Sequence, residues 1–188
     1  MGNIHNLQME YGTLTVITGP MFSGKSTELI RVAGRLRSIG KKVLGIVHKI
    51  DDRYAEGRIV THNGAQWYEN VAVAERLCDI VVDGYDAIIV EELQFFEDAF
   101  ENIVKWVEKE GVDVICAGLD GDFKRQPFGD ILKLIPYADK VIKLNALCKS
   151  CRDGTAAHFS RRVIESSEKV LVGGATAYEA VCRKHFLE

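Results

Sequence analysis

A short glycine-containing segment near the amino terminus has the residue types and spacing needed to hold a polyphosphate. Residues 19–26 read GPMFSGKS: a glycine, four residues, then glycine, lysine and serine. Glycine at both positions lets backbone N–H groups approach phosphate oxygens without a Cβ clash. Lys25 is predicted to reach the β- and γ-phosphates, and the Ser26 hydroxyl to ligate Mg²⁺. The whole segment is assigned to the predicted nucleotide site: Gly19, Pro20, Met21, Phe22, Ser23, Gly24, Lys25 and Ser26.

Two adjacent glutamates have carboxylates that suit the chemistry of a metal-bound polyphosphate. Glu91 and Glu92 directly follow the apolar run at 87–90, which is predicted to be a strand. The pair should therefore lie at the carboxyl edge of a sheet, where open α/β folds bind ligands. Adjacent strand residues point to opposite sides, so one carboxylate should face Mg²⁺ and the other the attacking nucleophile. The residue types leave two nucleophiles open, water in an ATPase or a substrate hydroxyl in a kinase.

A third group of residues has the spacing of metal ligands. Cys148 and Cys151 form one C-x-x-C pair, and Cys182 and His185 are separated by the same interval. Three thiolates and one imidazole suit a closed tetrahedral Zn²⁺ site, and a closed site indicates a structural role. A redox role for the first pair is disfavoured, because no thioredoxin-like strand and helix flank it.

Alternating elements are predicted to position these groups. Strands are expected at 13–18, 43–47, 87–90, 112–117 and 140–144, and helices at about 25–39, 71–82, 98–110 and 131–135. This alternation predicts an α/β fold of the P-loop, RecA-like class, with a mainly parallel sheet flanked by helices. Cys78 and Cys116 fall within the predicted apolar elements, so both are expected to be buried, inert thiols.

The pattern changes beyond residue 144. A cysteine knuckle is followed by predicted short strands at 157–163 and 169–172. About 45 residues cannot build a large core alone, so a metal is expected to hold this part together. The sequence therefore predicts a nucleotide-binding domain over residues 1–144 and a small C-terminal zinc-binding lobe over residues 145–188.

Composition restricts the class of partner and the compartment. The 188 residues are 47% hydrophobic and 27% charged, with a formal net charge of −3, so neither nucleic acid nor a membrane surface is an expected partner. No run approaches the roughly 20 apolar residues of a membrane span. Residues 1–10 lack the basic start and apolar stretch of a signal peptide, so a cytoplasmic location is expected.

Several segments taken together resemble the type II thymidine kinases. They are GPMFSGKSTEL, the acidic pair followed by QFF, AGLDGDFKRQPFG, the cysteine knuckle and GGATAYEAVC. The resemblance spans nearly the whole chain, with the motifs in the family's order and spacing. It implies a kinase that transfers the γ-phosphate of ATP to the 5′-hydroxyl of thymidine, supplying dTMP for DNA synthesis by nucleoside salvage. It also implies ATP, Mg²⁺ and structural Zn²⁺ as cofactors, a homotetramer, and feedback inhibition by dTTP.

The same resemblance implies roles for residues around the phosphates. Glu92 corresponds to the family's base, which takes the proton of the 5′-hydroxyl, and acts with Lys25 as a catalytic residue. Glu91 stands where the family has a metal-side aspartate, a departure that adds one methylene. The nucleotide site also includes three residues outside the phosphate loop: Asp51, Arg53 and Gln94.

The thymine base is expected in an apolar slot, because a pyrimidine offers a flat face and few polar edges. By resemblance the slot is lined by residues from several segments: Met21, Phe95, Leu119, Phe123, Phe128, Ser160 and Tyr178. A loop that covers the base and reads its edge with backbone groups corresponds to Lys169, Val170, Leu171, Val172 and Gly173.

Two rival functions are weighed against the kinase. One is a P-loop ATPase in which Glu92 orients water, and the other is a zinc-knuckle binding module with a vestigial nucleotide site. An aromatic acceptor slot favours the kinase, because a hydrolase needs none. The intact Lys25, Ser26 and Glu92 disfavour the inactive module.

Overall fold

The computed structural model describes residues 11–50, 59–60, 66–67, 69–164 and 176–188. The strands are β1 (Leu14–Thr18), β2 (Val43–His48), β3 (Ile59–Val60), β4 (Gln66–Trp67), β5 (Val71–Ala74), β6 (Ala87–Val90), β7 (Asp113–Gly118), β8 (Lys140–Lys143), β9 (Ala146–Leu147), β10 (Ala156–Ala157), β11 (Phe159–Arg162) and β12 (Tyr178–Val181). The α-helices are α1 (Lys25–Ser38), α2 (Ala99–Glu108) and α3 (Arg183–Leu187), and 3₁₀ helices cover Leu77–Asp79, Leu93–Phe95 and Ile131–Tyr137. Among these residues, no helix combines the length and the apolar character that crossing a membrane requires.

A parallel sheet forms the centre of the fold. In the described residues it has six strands in the order β5-β2-β6-β7-β1-β8, and every pairing is parallel. The predicted α/β fold with a mainly parallel sheet is therefore confirmed. Because the strands are parallel, the ends of β1, β6 and β7 meet at one edge, the expected location of a ligand site.

Helices cover both faces of this sheet. Ile88 of β6 packs in the cluster that contains Trp106 of α2, whereas its neighbour Ile89 packs in the cluster that contains Leu29 of α1. Side chains alternate along a strand, so these two helices lie on opposite faces. Burial on both faces accounts for the nearly uninterrupted apolar sequences of the central strands.

The predicted helix at 71–82 is wrong. Val71–Ala74 is the edge strand β5, paired in parallel with β2, and a 3₁₀ turn follows at Leu77–Asp79. Both carboxylate oxygens of Asp98 accept hydrogen bonds, from Leu77 N at 3.0 Å and from Cys78 N at 2.9 Å. Pairing with β2 and the Asp98 carboxylate provide hydrogen-bond partners for the backbone of this segment. The helical spacing of its apolar residues therefore does not decide its structure.

The two cysteines outside the metal cluster differ in burial. Cys116 is buried in β7, as predicted, and burial raises the pKa of its thiol to about 12. Cys78 is exposed, contrary to prediction, because its segment forms a surface turn instead of a buried helix.

The predicted short helix at 131–135 is a 3₁₀ helix that continues through Pro136 to Tyr137. Proline is tolerated there although it lacks an N–H group, because the turn still closes by a hydrogen bond from Ala138 N to the Ile135 carbonyl at 3.3 Å.

The C-terminal lobe, by which we mean residues 146–164 and 176–188, contains two small antiparallel sheets. One pairs β9 with β10, and the other pairs β11 with β12. The strand predicted at 157–163 is thus divided between β10 and β11, and the strand predicted at 169–172 lies outside the described residues. The buried cluster of this lobe consists mostly of small residues: Ala146, Cys148, Ala157, Ala180, Val181 and Cys182.

Candidate active site and metal centre

The phosphate loop connects the end of β1 to the start of α1. Gly24 adopts a left-handed conformation with φ of 87° immediately before α1. Gly19 has φ of 147°, and a Cβ added there would lie 2.5 Å from the Leu144 carbonyl oxygen. The backbone geometry therefore requires glycine at position 19, and at position 24 it strongly favours a residue without a Cβ.

Polar side chains of the loop suit an anionic ligand. Lys25 is buried, and its Nζ donates a hydrogen bond to the Pro20 carbonyl oxygen at 3.0 Å, which keeps the ammonium beside the loop backbone. The Ser23 hydroxyl is also buried and has no hydrogen-bond partner within the described part of the chain. A buried hydroxyl that can donate, a buried ammonium and a helix amino terminus together fit phosphate.

Glu91 is in direct contact with this loop. The residue is 1% exposed, and its Oε1 accepts a hydrogen bond from Ser26 Oγ at 2.5 Å. The backbone N–H of Glu91 donates to the carbonyl of Ile46 in β2 at 2.9 Å, which fixes the position of the Glu91 backbone. The longer side chain at this position therefore reaches the serine that is predicted to ligate Mg²⁺.

Glu92 has a different set of contacts. It adopts a left-handed conformation with φ of 50°, which ends β6 and starts the next turn. Gln94 Nε2 donates to Glu92 Oε2 at 2.5 Å, and Gln94 Oε1 accepts from Leu119 N at 3.0 Å. The Gln94 amide, assigned from sequence to the nucleotide site, thus links Glu92 to the loop at residues 119–130, which follows β7.

Two glycines that the sequence reasoning did not single out allow Gln94 to fit. A Cβ on Gly118 would lie 2.5 Å from Gln94 Oε1, and a Cβ on Gly129 would lie 2.6 Å from Gln94 Cα. Gly129 also has φ of 63°. Gly118 directly precedes loop 119–130, and Gly129 is the second-to-last residue of that loop. Their positions on either side of the polar segment 119–128 were the available sequence signal.

The predicted base-slot residues form contacts in two groups. Phe95 and Phe128 meet edge to face with ring centroids 5.9 Å apart, and His48 lies 5.9 Å from Phe95. Phe123 and Tyr178 are joined through Arg162, as analysed below. His48 and Arg162 were not predicted from sequence.

His48 is buried behind the first of these groups. Burial lowers the pKa of its imidazole, and its Nδ1 accepts a hydrogen bond from Ile50 N at 3.0 Å. Its ring also packs against Phe96, with centroids 4.7 Å apart. A neutral histidine therefore serves as an aromatic support for Phe95.

A hydrogen bond connects the phosphate loop to the C-terminal lobe. Met21 N donates to the buried Ser160 Oγ at 2.9 Å. The remaining predicted residues lie outside the described part of the chain: Asp51, Arg53, Lys169, Val170, Leu171, Val172 and Gly173.

The predicted zinc ligands converge at one point. One ligand atom from each of Cys148, Cys151, Cys182 and His185 lies within 4.8 Å of all the others. The Sγ atoms of Cys151 and Cys182 are 3.8 Å apart, and His185 Nδ1 lies 3.4 Å from Cys151 Sγ. Thiolates about 2.3 Å from a tetrahedral zinc would be about 3.8 Å apart, so the cluster fits this ion.

The protein also favours a thiolate in this cluster. Burial alone raises the pKa of Cys148, but N–H groups of Cys182, Cys151 and Ser150 directed at the sulfur outweigh it and lower the pKa to about 6. Metal ligation by cysteine requires this deprotonated form.

The parallel sheet, the phosphate loop at its edge and the acidic pair define a nucleotide-binding protein of the P-loop class. A family model described as thymidine kinase matches residues 12–186. A thymidine kinase of Oryza sativa subsp. japonica is 37% identical across 100% of this chain and 71% of its own length. A thymidine kinase of vaccinia virus (strain Western Reserve) is 40% identical across 96% of this chain and 99% of its own length. A thymidine kinase of Mycoplasma mobile is 38% identical, covering 94% and 88% respectively. This chain belongs to the thymidine kinase family.

The packing around Gln94 predicts that Gly129→Ala is strongly destabilising. The new Cβ would collide with the Gln94 backbone and would also require a left-handed alanine, so we expect a loss of roughly 3 kcal/mol or more in the free energy of unfolding. Gly84→Ala is the matched control, since Gly84 has φ of 83° but open space around its Cβ position. That variant should lose only about 1 kcal/mol. Equal losses in denaturant unfolding would contradict the proposed contact.

Proposed function

We propose that this chain is an ATP-dependent thymidine kinase, which transfers the γ-phosphoryl group of ATP to the 5′-hydroxyl of thymidine and so supplies dTMP for DNA synthesis. The observation that carries the proposal is that the two adjacent carboxylates, Glu91 and Glu92, contact different parts of the site. Glu91 contacts Ser26 of the phosphate loop, whereas Glu92 is joined through Gln94 to loop 119–130, which carries aromatic residues. Family membership supports thymidine as the acceptor.

On the nucleotide side, residues 19–26 would hold the phosphates with backbone N–H groups. Lys25 would contact the β- and γ-phosphates as a charged donor, and Asp51 and Arg53 would contribute beside them. Ser26 and Glu91 would hold Mg²⁺, for which their oxygens are suitable ligands. When bound, that ion supplies neutralisation of the phosphate charge.

On the acceptor side, Glu92 would act as the base. Its carboxylate would accept the proton of the 5′-hydroxyl as that oxygen forms a bond to the γ-phosphorus and the bond to the ADP oxygen breaks. The hydrogen bond from Gln94 fixes one carboxylate oxygen of Glu92 and so orients the group. Positioning of this kind supplies much of the acceleration in phosphoryl transfer.

The thymine base would lie between loop 119–130 and the C-terminal lobe. The hydrogen bond from Met21 to Ser160 supports this arrangement, because it joins the phosphate loop to the lobe beside the proposed slot. Phe95, Leu119, Phe123, Phe128 and Tyr178 would contribute the apolar lining, and residues 169–173 would cover the base.

We also propose a nucleotide-binding domain over residues 1–144 and a zinc-binding lobe over residues 145–188. The separate buried cluster of the lobe and its four convergent ligands support this division. Zinc would be structural, because the four ligands leave no open position. We further propose that the protein is a cytoplasmic homotetramer and that dTTP inhibits it. A dTTP molecule carries the thymine base proposed for the slot and phosphates suited to the phosphate loop.

ADP release with and without thymidine tests the proposed reaction directly. Release should depend on the nucleoside, because the attacking group is its hydroxyl. Equal release without thymidine would instead indicate an ATPase in which Glu92 orients water.

Glu92→Gln tests the base. The substitution keeps the shape of the side chain but cannot accept the proton, so kcat should fall by roughly a hundredfold or more while ATP binding persists. Glu97→Gln provides the control, because Glu97 is an exposed glutamate close by in sequence. A Glu92→Gln enzyme within about twofold of the native kcat would remove Glu92 from this role.

Glu91 tests the metal side. Because its carboxylate already reaches Ser26, restoring the family's residue with Glu91→Asp should change kcat by no more than about twofold. Glu91→Gln removes the charge and should raise the Mg²⁺ concentration for half-maximal activity by about tenfold. If the aspartate variant loses activity as severely as the glutamine variant, side-chain reach rather than charge limits the site.

Zinc removal tests the role of the lobe. Elemental analysis should find about one zinc per chain, and Cys151→Ser should lose it, whereas Cys78→Ser should retain it. Metal loss should raise the thymidine KM strongly while ATP binding persists, since folding of a small lobe depends on its metal. Unchanged thymidine kinetics in metal-free protein would contradict this role, and parallel loss of ATP binding would indicate that both parts fold as one unit.

A further inference from the structure

Arg162 has no part in the reaction described above, yet it contacts two residues of the proposed base slot. Its guanidinium carbon lies 3.8 Å from the centroid of the Phe123 ring, and its Nη2 donates to the Tyr178 hydroxyl at 2.8 Å. The same guanidinium lies 5.3 Å from the centroid of the Tyr178 ring. One planar cation therefore connects a side chain of loop 119–130 to a side chain of the C-terminal lobe.

The strand pairing determines this geometry. Arg162 in β11 lies directly opposite Tyr178 in β12, and Ser160 precedes Arg162 by two positions. Residues two apart in a strand share a face, which agrees with the contacts of Ser160 and Arg162. Ser160 accepts from the phosphate loop and Arg162 stacks on Phe123. This face of β11 thus supports both halves of the proposed site.

A second arginine makes the reciprocal contact. Arg125, two residues after Phe123, extends from loop 119–130 onto aromatic rings of the C-terminal lobe. Its guanidinium carbon lies 4.7 Å from the centroid of Phe186 and 5.6 Å from that of Phe159. Phe186 follows the predicted zinc ligand His185 in sequence. Two arginine–aromatic contacts therefore join the loop to the lobe. Arg162 extends from the lobe to the loop, and Arg125 extends from the loop to the lobe.

We propose that Arg162 is a positioning residue of the acceptor pocket, whose guanidinium fixes Phe123 and Tyr178 relative to each other before the nucleoside binds. This inference rests on the proposed function, since it takes Phe123 and Tyr178 to line the base slot. A guanidinium can stack flat on one ring while it donates a hydrogen bond in its own plane. An ammonium keeps the charge but cannot combine the two contacts.

The test compares Arg162→Met and Arg162→Lys with Arg183→Met. Arg183 is the matched control, because its exposed guanidinium also lies over an aromatic ring of the lobe, 5.0 Å from the centroid of Phe159. Steady-state kinetics should be measured with thymidine and with ATP as the varied substrate, together with zinc content and melting temperature.

Arg162→Met should raise the thymidine KM by roughly tenfold, with the KM for ATP within about twofold of the native value. Arg162→Lys should recover only part of this loss, and Arg183→Met should leave both KM values within about twofold. Zinc content should stay at the native level in all variants. Retained zinc separates this result from misfolding of the lobe, which would also raise the thymidine KM alone but would release the metal.

Two outcomes would overturn the inference. A thymidine KM within twofold of native in Arg162→Met would show that the slot forms without this residue. A raised thymidine KM accompanied by loss of zinc would assign Arg162 to folding of the lobe.

Phe123→Ala separates this failure from failure of the proposed function. If that variant raises the thymidine KM and Arg162→Met does not, the pocket stands and only the positioning role is wrong. If Phe123→Ala also leaves the thymidine KM unchanged, the assignment of the slot is wrong, and the positioning role fails with it.

Discussion

The hydrogen bond from the Ser26 hydroxyl to the buried Glu91 carboxylate joins segments that are 65 residues apart in the chain. It exists because β1 and β6 run parallel on either side of β7, so the residues that follow them meet at one edge of the sheet. Glu91 is only 1% exposed, and burying a carboxylate is costly unless polar or cationic groups surround it. The serine and the amino-terminal end of α1, to which it belongs, provide that environment, which makes the same edge suitable for a metal–phosphate complex.

From this edge, contacts extend to the acceptor side through a short polar chain. Glu92 is held by Gln94, and Gln94 is held by the backbone of Leu119, so the proposed base and loop 119–130 are oriented together. Gly118 and Gly129 leave no space for a side chain beside Gln94. A partly buried network of this kind is stable only when its members are paired, and it rigidifies the site that it supports.

The C-terminal lobe depends on contacts beyond its own core. Its buried cluster contains mostly alanine and cysteine, too little apolar area to fold firmly without further support. The convergent ligand set provides one support, and the contacts of Met21 with Ser160 and of the two arginines with aromatic rings provide another. A lobe held in this way can bring residues of a distant segment against loop 119–130.

The sequence by itself determined the features that depend on near neighbours. The phosphate loop, the buried strands and the metal-ligand spacing were all predicted, because glycine conformation, strand burial and ligand intervals are local properties. Tertiary structure decided the rest. Residues 71–82 have helical spacing, but pairing with β2 and the carboxylate of Asp98 form a strand and a turn there, which also exposes Cys78. The contacts of Gln94, His48 and Arg162 join residues brought together by strand order and hairpin register. Such contacts leave no local periodicity in the sequence, because each partner's position is fixed by the packing of the whole sheet.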